Sequence, residues 1–108
     1  MAGNAFIQGS VVVAAAGTAV PLSGTAALPA PLLVRSLAIT AKKVAGSNTG
    51  IVYIGDSTVD STSNQGHPMA AGDEWDYPLT EGTELDLNTV YVDAATNADG
   101  VVFTYIRA

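Results

Sequence analysis

Cysteine is absent from this 108-residue chain and histidine occurs once, at His67. Without cysteine there are no disulfides, thiolate metal sites, cysteine nucleophiles or thiol switches. A single imidazole excludes any site needing two, which removes most zinc hydrolases. Charge is scarce as well, at 13% of residues against about 25% in an average soluble domain. Lys and Arg total four, with no cluster beyond Lys42-Lys43. A net charge of −6 argues against nucleic acid, whose phosphates call for clustered Lys and Arg. The longest apolar run, Val11 to Ala16, has six residues, far short of the roughly 20 that span a bilayer. No basic residue stands before it, since the first is Arg35, so it reads as mature structure rather than a signal-peptide core. Neither nucleic acid nor membrane is expected as a partner.

What remains is hydrophobic and punctuated. Apolar residues make up 48% of the chain, which excludes a disordered, solvating polymer. Gly and Pro interrupt the chain at short intervals, and Val, Ile, Thr and Tyr dominate between them. The spacing predicts strands over 10–15, 19–22, 33–42, 50–54, 74–78, 85–88, 90–94 and 101–107, with no long helix. The expected fold class is all-β: a small antiparallel β-sandwich or jelly-roll-like barrel of seven to eight short strands. Residues 10–108 form the single domain, and residues 1–9 read as an N-terminal arm whose Phe6-Ile7 tip could add to a neighbour. In the strand over 33–42, simple alternation puts Leu33, Leu37 and Ile39 on one face and Val34 and Ala38 on the other. Such a strand lies inside a sandwich or beneath a subunit contact. In 74–78, Trp75 and Tyr77 face in and Glu74 and Asp76 face out. Asp99-Gly100 predicts a tight hairpin joining the last two strands as antiparallel neighbours.

Charge is uneven along the chain. Residues 1–55 hold Arg35, Lys42 and Lys43 and no acid, whereas residues 56–108 hold all ten acids and Arg107. The polar loop Asp56–Gly66 offers oxygens from Asp56, Ser57, Asp60, Ser61 and Asn64 that could hold Ca²⁺. Thr58 breaks the calcium-loop spacing, however, and turn capping by Asp and Ser explains the composition better. A glycosidase carboxylate pair drawn from Asp73, Glu74, Asp76, Glu81, Glu84 and Asp86 competes with a solvated strand face, which the alternation favours. His67 lies in a Gly-His-Pro context with no G-x-S-x-G serine, so Ser-His-Asp chemistry is not expected. Trp75 with Tyr77, or Tyr53 with Tyr91, could stack on sugars, but aromatics in small β domains usually fill the core. No catalytic, cofactor or metal residue is assigned.

Several segments carry a resemblance. Residues 35–41 read R-S-L-A-I-T-A, Asn48-Thr49-Gly50 follows, and Val52–Val59 reads V-Y-I-G-D-S-T-V. Pro68–Glu74 reads P-M-A-A-G-D-E, and Leu85-Asp86-Leu87-Asn88, Val90-Tyr91-Val92 and V-V-F-T-Y-I complete the pattern. Over residues 10–107 this resembles small all-β structural proteins of tailed bacteriophages, with Met69 standing where Leu is usual. The resemblance implies a non-enzymatic virion protein without cofactor. It is expected to be a capsid decoration (cement) protein, bound as a homotrimer to the major capsid protein on the outer capsid surface. A head-fibre or tail module reading host glycan is the alternative. On that reading Arg35, Leu37, Tyr53, Trp75 and Tyr91 are the expected contact residues, with Phe6 and Ile7 anchoring the arm to the shell.

Overall fold

Alternating apolar residues between turn formers bury the inner faces of the main strands, and all the described strand pairs are antiparallel. The computed structural model describes residues 6–23, 32–44, 46–77 and 83–107. One sheet contains β1 (Phe6–Val12), β3 (Leu33–Thr40), β8 (Glu74–Tyr77), β9 (Leu85–Asp86) and β11 (Gly100–Arg107). Its order is β1-β11-β3-β8, with β9 also paired to β3. The second sheet contains β2 (Val20–Pro21), β6 (Val52–Gly55), β7 (His67–Met69) and β10 (Tyr91–Ala94), in the order β2-β10-β6-β7. β4 (Lys42–Lys43) and β5 (Gly46–Ser47) form a separate two-stranded sheet beside β11, and a 3-10 turn spans Leu87–Thr89. The molecule is all-β and antiparallel, a sandwich of two open sheets rather than a closed barrel.

The core lies between the inner faces. Val34, Leu37, Ile39, Val101 and Phe103 come from the first sheet, and Val52, Ile54, Met69, Val92 and Ala94 from the second; all are buried in one cluster. Fully burying a side chain of this size contributes about 1.5–3 kcal/mol, so these two faces supply the main stabilisation.

Three expectations change. First, the strand over 33–40 is not apolar on both faces. The register with β11 slips between Ile106, opposite Ser36, and Arg107, opposite Val34. Arg35 is the extra residue of a bulge, and the bulge resets the alternation. Val34, Leu37 and Ile39 thereby all reach the core, while Leu33 is 37% exposed. Second, the last two strands are not hairpin partners, because β10 and β11 lie in different sheets. The link at 95–99 crosses the sandwich, and the positive φ (71°) belongs to Ala98 rather than Gly100. Third, the arm is shorter than expected. β1 begins at Phe6, so residues 6–9 pair along β11 from Ile106 to Phe103. The rest of the expected arm, residues 1–5, lies outside the described residues.

Candidate functional site

The seven expected contact residues do not converge. Phe6 opens β1 opposite Ile106, and Ile7 packs half-buried against the core, so both positions lie within the first sheet. Leu37 is 2% exposed and belongs to the core; its side chain is used inside the protomer and presents nothing to a partner. Arg35 is exposed at the bulge. Tyr53 is buried on the outer face of the second sheet, opposite Asp93. Tyr91, half-buried, starts β10 between Pro21 and Gly55. Trp75 is half-buried as expected, and His67 stacks on it with ring centroids 4.2 Å apart. That stack joins the β7 edge of one sheet to the β8 edge of the other, and it occupies an indole face that a sugar would otherwise use.

Two buried carboxylates organise the loops. Asp99 is fully buried. Its Oδ1 accepts from the Thr49 N–H at 2.9 Å and its Oδ2 from the Gly50 N–H at 2.7 Å. Beside it, the buried Asn48 donates from Nδ2 to the Gly100 carbonyl at 2.8 Å and accepts from the Gly100 N–H at 3.0 Å. An amide side chain thus imitates a strand neighbour for Gly100. The Asn48-Thr49-Gly50 segment therefore locks the loop before β6 onto the crossing link. Asp93, also fully buried, accepts from the Gly17 N–H at 2.9 Å and the Ser61 N–H at 2.8 Å. It ties the turn at 14–18 and the polar loop to the outside of the second sheet. Hydrogen bonds to charged groups contribute about 1.5–3 kcal/mol each, which offsets the cost of burying these anions. Nothing in the local sequence separates Asp93 and Asp99 from the exposed acids; only the chain crossing reveals their role.

The polar loop folds onto itself. The Asp56 Oδ1 accepts from the Thr58 hydroxyl at 2.5 Å and the Thr58 N–H at 2.8 Å. The Asp60 Oδ1 accepts from the Thr62 N–H at 2.9 Å and hydroxyl at 3.0 Å. Turn capping is thus what these side chains do. Among the described residues no group of three or more His, Asp or Glu is placed to hold a metal ion. Gly66, at φ 57°, closes the loop where a Cβ would lie 2.2 Å from the Ile54 carbonyl oxygen. The Thr58 hydroxyl and then its N–H hold Asp56 below the ordinary value of 3.8, and the Thr62 N–H and then its hydroxyl do the same for Asp60. A depressed carboxyl favours the folded loop above the unfolded value, and that contribution disappears as pH falls through the lower folded value. Acid titration followed by NMR is expected to give both carboxyl midpoints below 3.8, with loop amide protection lost over the same interval. Midpoints at or above 3.8 would show that the caps do not persist in solution.

Among the described residues, the outer face of the first sheet carries an open depression. Gln8 and Ser10 on β1, Val102 and Thr104 on β11, and Ala38 and Thr40 on β3 line a shallow depression of about 400 Å³, with Val44 at its rim. Val44 is 65% exposed and Val12, at the end of β1, 44%. Among the described residues no charged one lines this depression, although the chain carries ten acids. The sequence reading missed it because its residues come from three strands brought together only by the order β1-β11-β3. The described lining offers shape, small apolar side chains and the hydroxyls of Ser10, Thr40 and Thr104, a composition that suits a contact surface. No protein-family model, curated protein or solved structure matches this chain.

Proposed function

We propose that this chain is a non-enzymatic bacteriophage virion structural protein, a decoration protein that binds the outer capsid surface and stabilises it. The observation that carries this reading is the charge-free depression on the outer face of the first sheet in a strongly acidic molecule. The strand and turn segments of residues 35–107 support it by their resemblance to small phage structural proteins. A standard interface takes about 800 Å² from each partner, roughly one-seventh of this protein's 5909 Å². A sheet face built on a rigid sandwich loses little conformational entropy on docking. Repetition over a capsid then sums modest contacts into strong resistance to internal pressure. The scarcity of basic residues keeps the protein off packaged DNA.

The test uses capsids assembled from the accompanying major capsid protein without this chain. Added protein is expected to cosediment saturably with them and to raise the temperature at which the shells come apart. Val102→Lys, which places a charge in the depression, is expected to weaken binding at least about tenfold while the protein stays folded. Absence of cosedimentation, or unchanged binding by a folded V102K variant, would overturn the reading.

A further inference from the structure

Among the described residues the two sheets of the sandwich have several edge strands, and all of these but one are blunted. β2 is two residues long and ends in Pro21; β7 contains Pro68. β8 carries Glu74 and Asp76, and the two-residue β9 carries Asp86. Short length, proline and charge are the devices by which proteins keep an edge from pairing with another chain. β1 has none of them. It is seven residues long, F-I-Q-G-S-V-V, without charge, proline or register shift along β11. Among the described residues no strand pairs with its outer edge.

We infer that β1 is the site of self-association, pairing antiparallel with β1 of a second copy across a two-fold axis centred on Gly9. The sequence of the strand is self-complementary about that point. Ile7 falls opposite Val11 and Gln8 opposite Ser10, so apolar meets apolar and polar meets polar. Facing agrees as well. Ile7 and Val11 both pack toward the core, and Gln8 and Ser10 are both exposed. A two-fold contact requires such self-complementarity from one patch. Charge points the same way: each copy carries −6, and β1 and β11 contain no acid. The seam is where two acidic molecules meet without placing like charges opposite each other. Pairing continues the first sheet from one protomer into the next and sets the two depressions on one continuous face. This assembly goes beyond the decoration reading and differs from the threefold one that the resemblance implies; it stands or falls in solution, without a capsid.

Light scattering with size exclusion on the purified full chain is the first measurement. A mass twice 10.9 kDa is expected, falling to the monomer on dilution, and outward-facing β1 amides are expected to exchange more slowly as concentration rises. A monomer at every concentration, a trimer, or concentration-independent exchange along β1 would overturn the inference. Register is tested by charge. Q8K/S10K puts two cations opposite each other at both symmetric positions and is expected to raise the dimer dissociation constant about tenfold or more. Q8K/S10E restores opposite charges and is expected to recover the dimer. Both sites are exposed, and far-UV circular dichroism reports whether each variant keeps the parent fold. A Q8K/S10K dimer as tight as the parent's, or no recovery in Q8K/S10E, would show that β1 does not pair in this register.

Discussion

Replacing Asp99 by alanine is expected to lower the free energy of unfolding by about 3–5 kcal/mol, a large share of the roughly 5–15 kcal/mol that holds a domain of this kind. The variant loses the acceptors at 2.9 and 2.7 Å from the Thr49 and Gly50 N–H groups, and both part-buried donors are left without their partner. Asp99→Asn keeps one oxygen and turns an amino group toward the other donor, so it is expected to cost about half as much. Lys43 supplies the contrast. Its Nζ lies 3.6 Å from Asp99 and its side chain is 33% exposed, so Lys43→Ala is expected to cost less than about 1 kcal/mol. Urea denaturation of the three variants separates the cases. A D99A loss below about 1 kcal/mol, or a K43A loss equal to that of D99A, would mean that the backbone donors are not what Asp99 serves.

Gly100→Ala is the second large effect. A Cβ there would lie 2.2 Å from the Val11 carbonyl oxygen and 3.0 Å from the Val12 Cα, both backbone atoms unable to swing aside. β1 would have to part from β11 at the Val12–Gly100 end of their ladder, at an expected cost of about 3–4 kcal/mol. Hydrogen exchange should show the loss concentrated in the last residues of β1. At Gly46, by contrast, an added Cβ meets nothing within 4 Å, and Gly46→Ala is expected to be neutral or slightly stabilising, by up to about 1 kcal/mol. Equal melting temperatures for G100A and the parent would refute the close approach.

These two residues also show what could be read in the sequence. Strand positions were legible because β-branched and aromatic residues between Gly and Pro leave few alternatives; the strands at 33–40, 74–77 and 100–107 all lie where the pattern placed them. Asp99-Gly100 misled. It has the composition of a hairpin turn, yet its aspartate is a buried acceptor and its glycine makes room for Val11. Local composition cannot distinguish these roles, because the partners lie about 50 and 90 residues away in the chain. The bulge at Arg35 was hidden for a related reason. A period of two assumes an unbroken ladder, and the slip is defined only by the facing strand. The candidate contact face was least legible, being composed of ordinary small residues that become a surface through strand order alone.

That strand order has a consequence during synthesis. β11 sits between β1 and β3, so the two earlier strands have no neighbour in common until residue 107 has been made. At about 5–20 residues per second, β1 remains without its ladder for roughly 5–20 s after it is translated. A chain stopped near residue 99 would hold every strand of the second sheet and still lack the centre of the first. An uncharged, unpaired F-I-Q-G-S-V-V strand on a nascent chain, many of them side by side on a polysome, is open to premature pairing with its neighbours. Expression yield should therefore depend on how quickly the last segment follows the first.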